Sequence, residues 1–149
     1  MMLGNLHRDV MERTFEIIDH TADVGIIAYG DTIEQLFSHA AVALFSLITE
    51  LESIRENLQH NLKITSHDND SLLVEWLNEL IYLFDAEQMV FHRFEIESLK
   101  HNQLKAVCYG EKFDASRHRI KIGVKAATYY MLKIEEDNQG YRARVILDI

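Results

Sequence analysis

Two stretches of this chain carry apolar residues at helical spacing on one side only, and a helix with a single apolar face has to lie on something. The first runs from about Thr32 to Ile48, with Ile33, Leu36, Phe37, Ala40, Leu44, Leu47 and Ile48 on one stripe. Asp31 stands where an N-cap belongs, and Glu34 follows three residues later, as in a capping box built on Asp. The second runs from about Ser71 to Phe84, with Leu72, Leu73, Trp76, Leu77, Leu80 and Phe84 in helical register and Asp68 or Asp70 placed to cap it.

The support for both faces is a sheet. Alternation of apolar and polar residues appears in Phe15–Ile17, Leu62–Ile64, Phe94–Ile96, Leu104–Cys108, Tyr130–Ile134 and Ala143–Leu147. Val24 to Ala28 is a continuous apolar run ending near Gly30 and reads as a more buried strand. His101–Asn102 and Asp137–Asn138–Gln139–Gly140 are turn sequences between neighbouring strands. The order of elements predicts an α+β two-layer sandwich, with two amphipathic helices packed on one face of a mainly antiparallel sheet. The stretch from Gly110 to Lys125 has no clear period. Residues 1–12 read as a frayed leader and residues 13–149 as a single domain.

Composition narrows the functional classes. No apolar run approaches the roughly 20 residues needed to span a bilayer, and the opening residues lack the apolar stretch of a signal peptide. One cysteine, Cys108, cannot form an internal disulfide, so a cytoplasmic location is the expectation. Cys108 alternates with Leu104 and Ala106 and reads as an inert core thiol. Twenty-four acidic residues against 15 basic ones give a net charge of −9, which disfavours tight direct binding of nucleic acid and suits a basic protein partner or a bound cation. Phosphate-binding loops, dinucleotide fingerprints, HExxH and the GxSxG elbow are all missing from the sequence.

Three segments carry candidate chemistry. Asp19-His20-Thr21-Ala22-Asp23 lies between two strands, where it either caps a turn through its side-chain oxygens or offers carboxylates to a hard cation. Leu147-Asp148-Ile149 ends the sequence inside an alternating strand, placing the Ile149 α-carboxylate beside the Asp148 side chain, either solvated or needing a cation to relieve the repulsion. Lys125 precedes Ala126-Ala127-Thr128-Tyr129 and is either plain surface charge or the counter-charge of a carboxylate site. Glu111 and the run Asp114 to His118 read as solvated surface groups, as do Glu87, Glu95 and Glu97.

Taken in order, these segments resemble the archease family. The resemblance is carried by Asp19-His20-Thr21-Ala22-Asp23-Val24, by Tyr29-Gly30-Asp31-Thr32 with Leu36-Phe37, and by Leu72-Leu73 with Trp76-Leu77-Asn78-Glu79-Leu80 and Tyr82. Tyr109-Gly110-Glu111, Lys125-Ala126-Ala127-Thr128-Tyr129 and the final Asp148-Ile149 complete it, from Phe15 to Ile149. Tyr130 departs from the pattern, standing where many members carry histidine. The resemblance implies a non-enzymatic protein cofactor that promotes guanylylation and repeated turnover of a GTP-dependent, RtcB-type RNA ligase in tRNA splicing and RNA repair. It also implies a divalent metal ion (Ca²⁺, Mg²⁺ or Mn²⁺) held by Asp23, Asp148 and Ile149, with Lys125 and then His20 as further candidates for activation or partner contact. Two other readings compete: an autonomous metal-dependent phosphoester hydrolase using the same carboxylates with His20 as acid or base, and a general chaperone or adaptor.

Overall fold

The computed structural model describes residues 14–19 and 23–149, and the leader expected over residues 1–12 lies outside them, as does His20. The element order is β1 (Phe15–Asp19), β2 (Asp23–Gly30), α1 (Ile33–Ile48), a 3₁₀ turn (Leu51–Ser53), β3 (Leu58–Thr65), α2 (Asn69–Glu87), β4 (Met89–Lys100), β5 (Gln103–Lys112), β6 (Ala126–Ala127), β7 (Lys133–Asp137) and β8 (Gly140–Asp148). Among the described residues the fold is α+β, with two α-helices and antiparallel pairing throughout. The strands form two sheets rather than one. The first has the order β1-β2-β8-β6, with β7 also on β8, and the second the order β3-β5-β4. The aperiodic stretch is where the chain leaves β5 of one sheet and crosses to β6 of the other, which is why it shows no strand period.

Both helices bridge the sheets. α1 packs on β2 and β4, and α2 packs on β4, β6 and β3. One continuous core results, lined by Val24, Ile26 and Ala28 of β2, Ala143, Val145 and Leu147 of β8, Leu104, Ala106 and Cys108 of β5, and the apolar stripes of the helices. Trp76 of α2 is fully buried and donates its indole N–H to the Phe37 carbonyl of α1 at 2.9 Å, so the largest core side chain also satisfies its polar atom. Phe94 stacks on Phe45 and meets Trp76 edge-on, tying both helices to β4. Cys108 is buried, and burial pushes its thiol up to about 12, the behaviour of an inert core residue.

Local chemistry sets the boundaries. The N-cap of α1 is Thr32 rather than Asp31: the Thr32 hydroxyl accepts from the Gln35 amide, and the Gln35 side chain reaches back to the Asp31 N–H at 2.8 Å. The three-residue spacing of a capping box fits Thr32 with Gln35 as well as Asp31 with Glu34, and the helix starts on the former. Asp68 caps α2 and closes a box with Ser71, while Asp70 accepts from the Ile134 amide at 3.0 Å. The His101–Asn102 turn is a tight two-residue hairpin with both residues in the left-handed region, φ 54° and 58°. The alternation at Tyr130 is misleading. β7 begins only at Lys133, and Tyr129 to Leu132 form a turn closed by a Leu132 N–H to Tyr129 carbonyl bond, with Met131 at φ 54°.

Candidate metal centre

β2 and β8 run antiparallel in a register that sets Asp23 directly against Asp148, then Val24 against Leu147 and Gly25 against Ile146. Directly opposed residues project to the same face of a sheet. Val24 and Leu147 are buried on the helix side, so their neighbours Asp23 and Asp148 share the outer face. The first residue of one strand and the last of its partner thereby form a two-carboxylate pair, although they stand 125 positions apart in the sequence.

The pair is electrostatically incomplete. Asp148 is exposed, whereas Asp23 is half-buried and its Oδ1 is buried with no hydrogen-bond partner among the described residues. A buried carboxylate oxygen without a donor costs free energy, and like charges directly opposite across two strands add to that cost. A hard cation relieves both, because such ions take oxygen ligands and neutralise charge. Among the described residues, no three His, Cys, Asp or Glu side chains converge on one point. Two carboxylates are therefore what the side chains offer, and further oxygens would come from main chain, water or a partner surface.

The other edge of Asp148 is built by the segment that carries Lys125. The Lys125 N–H donates to the Asp148 carbonyl at 2.8 Å and Ala126 pairs with Asp148, so Lys125 sits at the strand end beside the acidic pair with its side chain exposed. β6 is only two residues long, and a side chain holds it in place. Asn78 of α2 accepts the Ala127 N–H at 2.8 Å and donates to the Ala127 carbonyl at 3.1 Å, acting as a strand partner would. Next along, Thr128 bonds the Ile146 carbonyl through both its N–H and its hydroxyl. Ile149 is half-buried and packs against the core. The structure thus brings Asp23, Asp148 and the Lys125 backbone together with Ile149 adjacent in sequence, whereas His20 lies outside the described residues.

A second polar centre escaped the sequence reading. Glu111 and His118, expected at the surface, are each only 4% exposed. Glu111 accepts from the Arg55 N–H, the Asn57 amide, Arg117 and the His118 ring, and His118 Nδ1 accepts from the Asp114 N–H at 2.8 Å. That last bond assigns the ring proton to Nε2, which donates to Glu111 at 2.8 Å. Burial alone would raise the Glu111 carboxyl, but Arg117, the Arg55 amide and His118 outweigh it and hold the group down at about 2. The network ties the crossover loop to the chain after the 3₁₀ turn. The signal was present in the sequence as acid, arginine and histidine within eight residues, but nothing in their spacing distinguishes a buried hub from a solvated run.

Comparison with known proteins identifies the family. The model of the Archease protein family (MTH1598/TM1083) matches residues 15–149. The chain belongs to the archease family. Protein archease of Methanosarcina mazei is 37% identical over 141 residues, 92% of this chain and 97% of the relative. Its counterpart in Pyrococcus furiosus is 39% identical, covering 92% and 99%. The solution structure of Methanobacterium thermoautotrophicum protein 1598 superposes with a TM-score of 0.80 at 35% identity, covering 92% of this chain and 99% of that one. The crystal structure of a Thermotoga maritima archease, described as a possible chaperone, shares the fold with a TM-score of 0.62 at 21% identity, covering 90% of this chain and 96% of that one. Among the described residues of this archease, no helix is long and apolar enough to cross a membrane.

Proposed function

We propose that this archease is a protein cofactor that activates a GTP-dependent, RtcB-type RNA ligase, promoting its guanylylation and repeated turnover in tRNA splicing and RNA repair. The observation that carries the reading is the Asp23–Asp148 cross-strand pair with its buried Asp23 oxygen, which has no hydrogen-bond partner among the described residues. Asp23 and Asp148 would hold a divalent cation, with Ile149 contributing a main-chain oxygen; Ca²⁺, Mg²⁺ and Mn²⁺ all suit oxygen ligands. When bound, such an ion supplies charge neutralisation and fixed orientation to phosphate oxygens.

The protein's own residues do the rest. Asp23 is fixed by the β2–β8 register, so the pair is organised before any partner arrives. Asp148 is exposed at the strand end, which leaves it accessible to a docking surface. Lys125 lies next to it with an exposed ammonium suited to a phosphate oxygen, and His20 is a further candidate for contact. The net charge of −9 supports a protein partner with a cationic pocket over direct tight binding of RNA.

The test is a guanylylation assay of the ligase with and without this protein, titrated with each metal. Asp23→Ala and Asp148→Ala are expected to abolish the stimulation while keeping the wild-type circular dichroism spectrum. Normal stimulation by both variants defeats the reading, and phosphoester hydrolysis by the protein without ligase would replace it with an enzymatic one.

A further inference from the structure

β6 and β7 pair with the same strand, β8, one after the other, and the chain between them leaves the sheet. Thr128 is fastened to Ile146, and Lys133 resumes pairing opposite Arg144. The intervening residues bulge from the open edge as a knuckle with Tyr129, Tyr130 and Met131 at its tip, 58%, 67% and 63% exposed. The knuckle is built rather than slack. Its base is held by two bonds from Thr128, its turn by the Leu132–Tyr129 bond, and Leu132 packs against the core. Met131 adopts a left-handed backbone that a methionine rarely takes, so the turn is kept against local preference. Exposed edges are ordinarily protected by charge or proline. Here the most exposed run of large apolar side chains on the described surface occupies that place, and aromatic residues and Met are the types enriched in recognition surfaces.

Its position says what it meets. Ile146 and Asp148 are two residues apart on β8, about 7 Å along the strand. The base of the knuckle therefore lies beside the Asp23–Asp148 pair, within the span of a macromolecular surface that reaches those carboxylates along the β6 edge. We infer that Tyr129, Tyr130 and Met131 form the apolar peg with which this archease docks into a cleft bordering the cationic pocket of its partner ligase. This rests on the function proposed above. Charge and area both select that occupant over a second copy of the chain. As whole molecules, two copies of net charge −9 repel one another, whereas a partner with a basic pocket is attracted to the chain and to the Asp23–Asp148 pair, even with Lys125, Lys133 and Arg144 exposed near the peg. The three side chains expose roughly 400 Å², given about 200 Å² for a side chain of this size. That is half of the roughly 800 Å² per partner of a standard interface, enough for the apolar part of a larger, polar contact and too little for a stable dimer.

The experiment compares wild type, the triple variant Tyr129→Ser/Tyr130→Ser/Met131→Asn, and Ile120→Ser, which removes an exposed apolar residue of the crossover loop. Affinity for the ligase, ligase guanylylation against protein concentration, and metal affinity by calorimetry are measured on each. The triple variant is expected to bind the ligase at least tenfold more weakly, to regain full stimulation at saturating concentration, and to bind metal as wild type does. Ile120→Ser is expected to match wild type throughout. Unchanged ligase affinity in the triple variant overturns the assignment, as does an equal loss in Ile120→Ser. A wild-type dimer in sedimentation that the triple variant dissociates also overturns it, in favour of self-association. Wild-type protein that neither binds nor stimulates the ligase fails at the earlier step and removes the functional reading itself. A failure of the peg alone shows instead as normal wild-type stimulation with unchanged variant binding.

Discussion

At the scale of single residues, burial separates groups that look alike in the sequence. Glu95 and Glu111 are both strand carboxylates; Glu95 pairs with Arg93 and Tyr109 in solvent, whereas Glu111 is enclosed with Arg117 and His118. A pair broken inside the protein leaves an uncompensated group, so Glu111→Gln is expected to cost about 3 kcal/mol at pH 7 in denaturant unfolding. The pH dependence has a defined sign. The folded-state value of Glu111, about 2, lies below its ordinary 4.5, so its contribution is complete above pH 4.5 and is lost as pH falls towards 2. The stability gap between wild type and Glu111→Gln should therefore narrow between pH 4.5 and 2.5; a constant gap would show that the carboxylate charge is not what matters. The sequence marks Cys108 as a core thiol because it alternates with apolar neighbours, and the structure agrees. Glu111 and His118 were not legible, because their burial comes from a loop with no period to read.

At the scale of elements, regular patterns were readable and short, side-chain-held pieces were not. The stripes of α1 and α2 are visible as 3.6-residue periods, and the hairpin at His101–Asn102 as a turn sequence. β6 has no pattern of its own, since two residues cannot show one; Asn78 on a helix some fifty positions earlier defines it. Asn78→Ala should cost about 1–2 kcal/mol, since two hydrogen bonds are lost and the Ala127 N–H loses its protein acceptor. Amide exchange at Ala127 should speed up at least tenfold, with that of the α1 core amides following only the global change. Equal acceleration everywhere would mean that Asn78 stabilises the fold without fixing β6. Thr32→Ala, which removes the observed cap of α1, should cost about 1 kcal/mol in the same unfolding experiment, and Asp31→Ala distinctly less. The reverse ranking would restore Asp31 as the cap.

At the scale of the whole molecule, the two sheets share one core, and the β2–β8 pairing is the long-range decision on which the candidate centre depends. Strand alternation alone does not say that the second strand and the last are neighbours, nor that they align residue 23 with residue 148. Family resemblance pointed to those positions, and the register supplies the physical reason they belong together. A fold that sets two aspartates face to face gives up stability, and under the proposed function that cost is exchanged for cation binding, as functional sites commonly do. Denaturant unfolding of wild type and Asp148→Asn, each with and without a divalent cation, tests that trade directly. Without metal, Asp148→Asn is expected to be the more stable by about 0.5 kcal/mol, because the like-charge opposition is gone. With cation at a hundredfold excess over its dissociation constant, wild type should gain about 2.7 kcal/mol and the variant almost nothing. A variant that is less stable without metal, and gains as much from the cation as wild type does, would contradict a metal centre at Asp23 and Asp148.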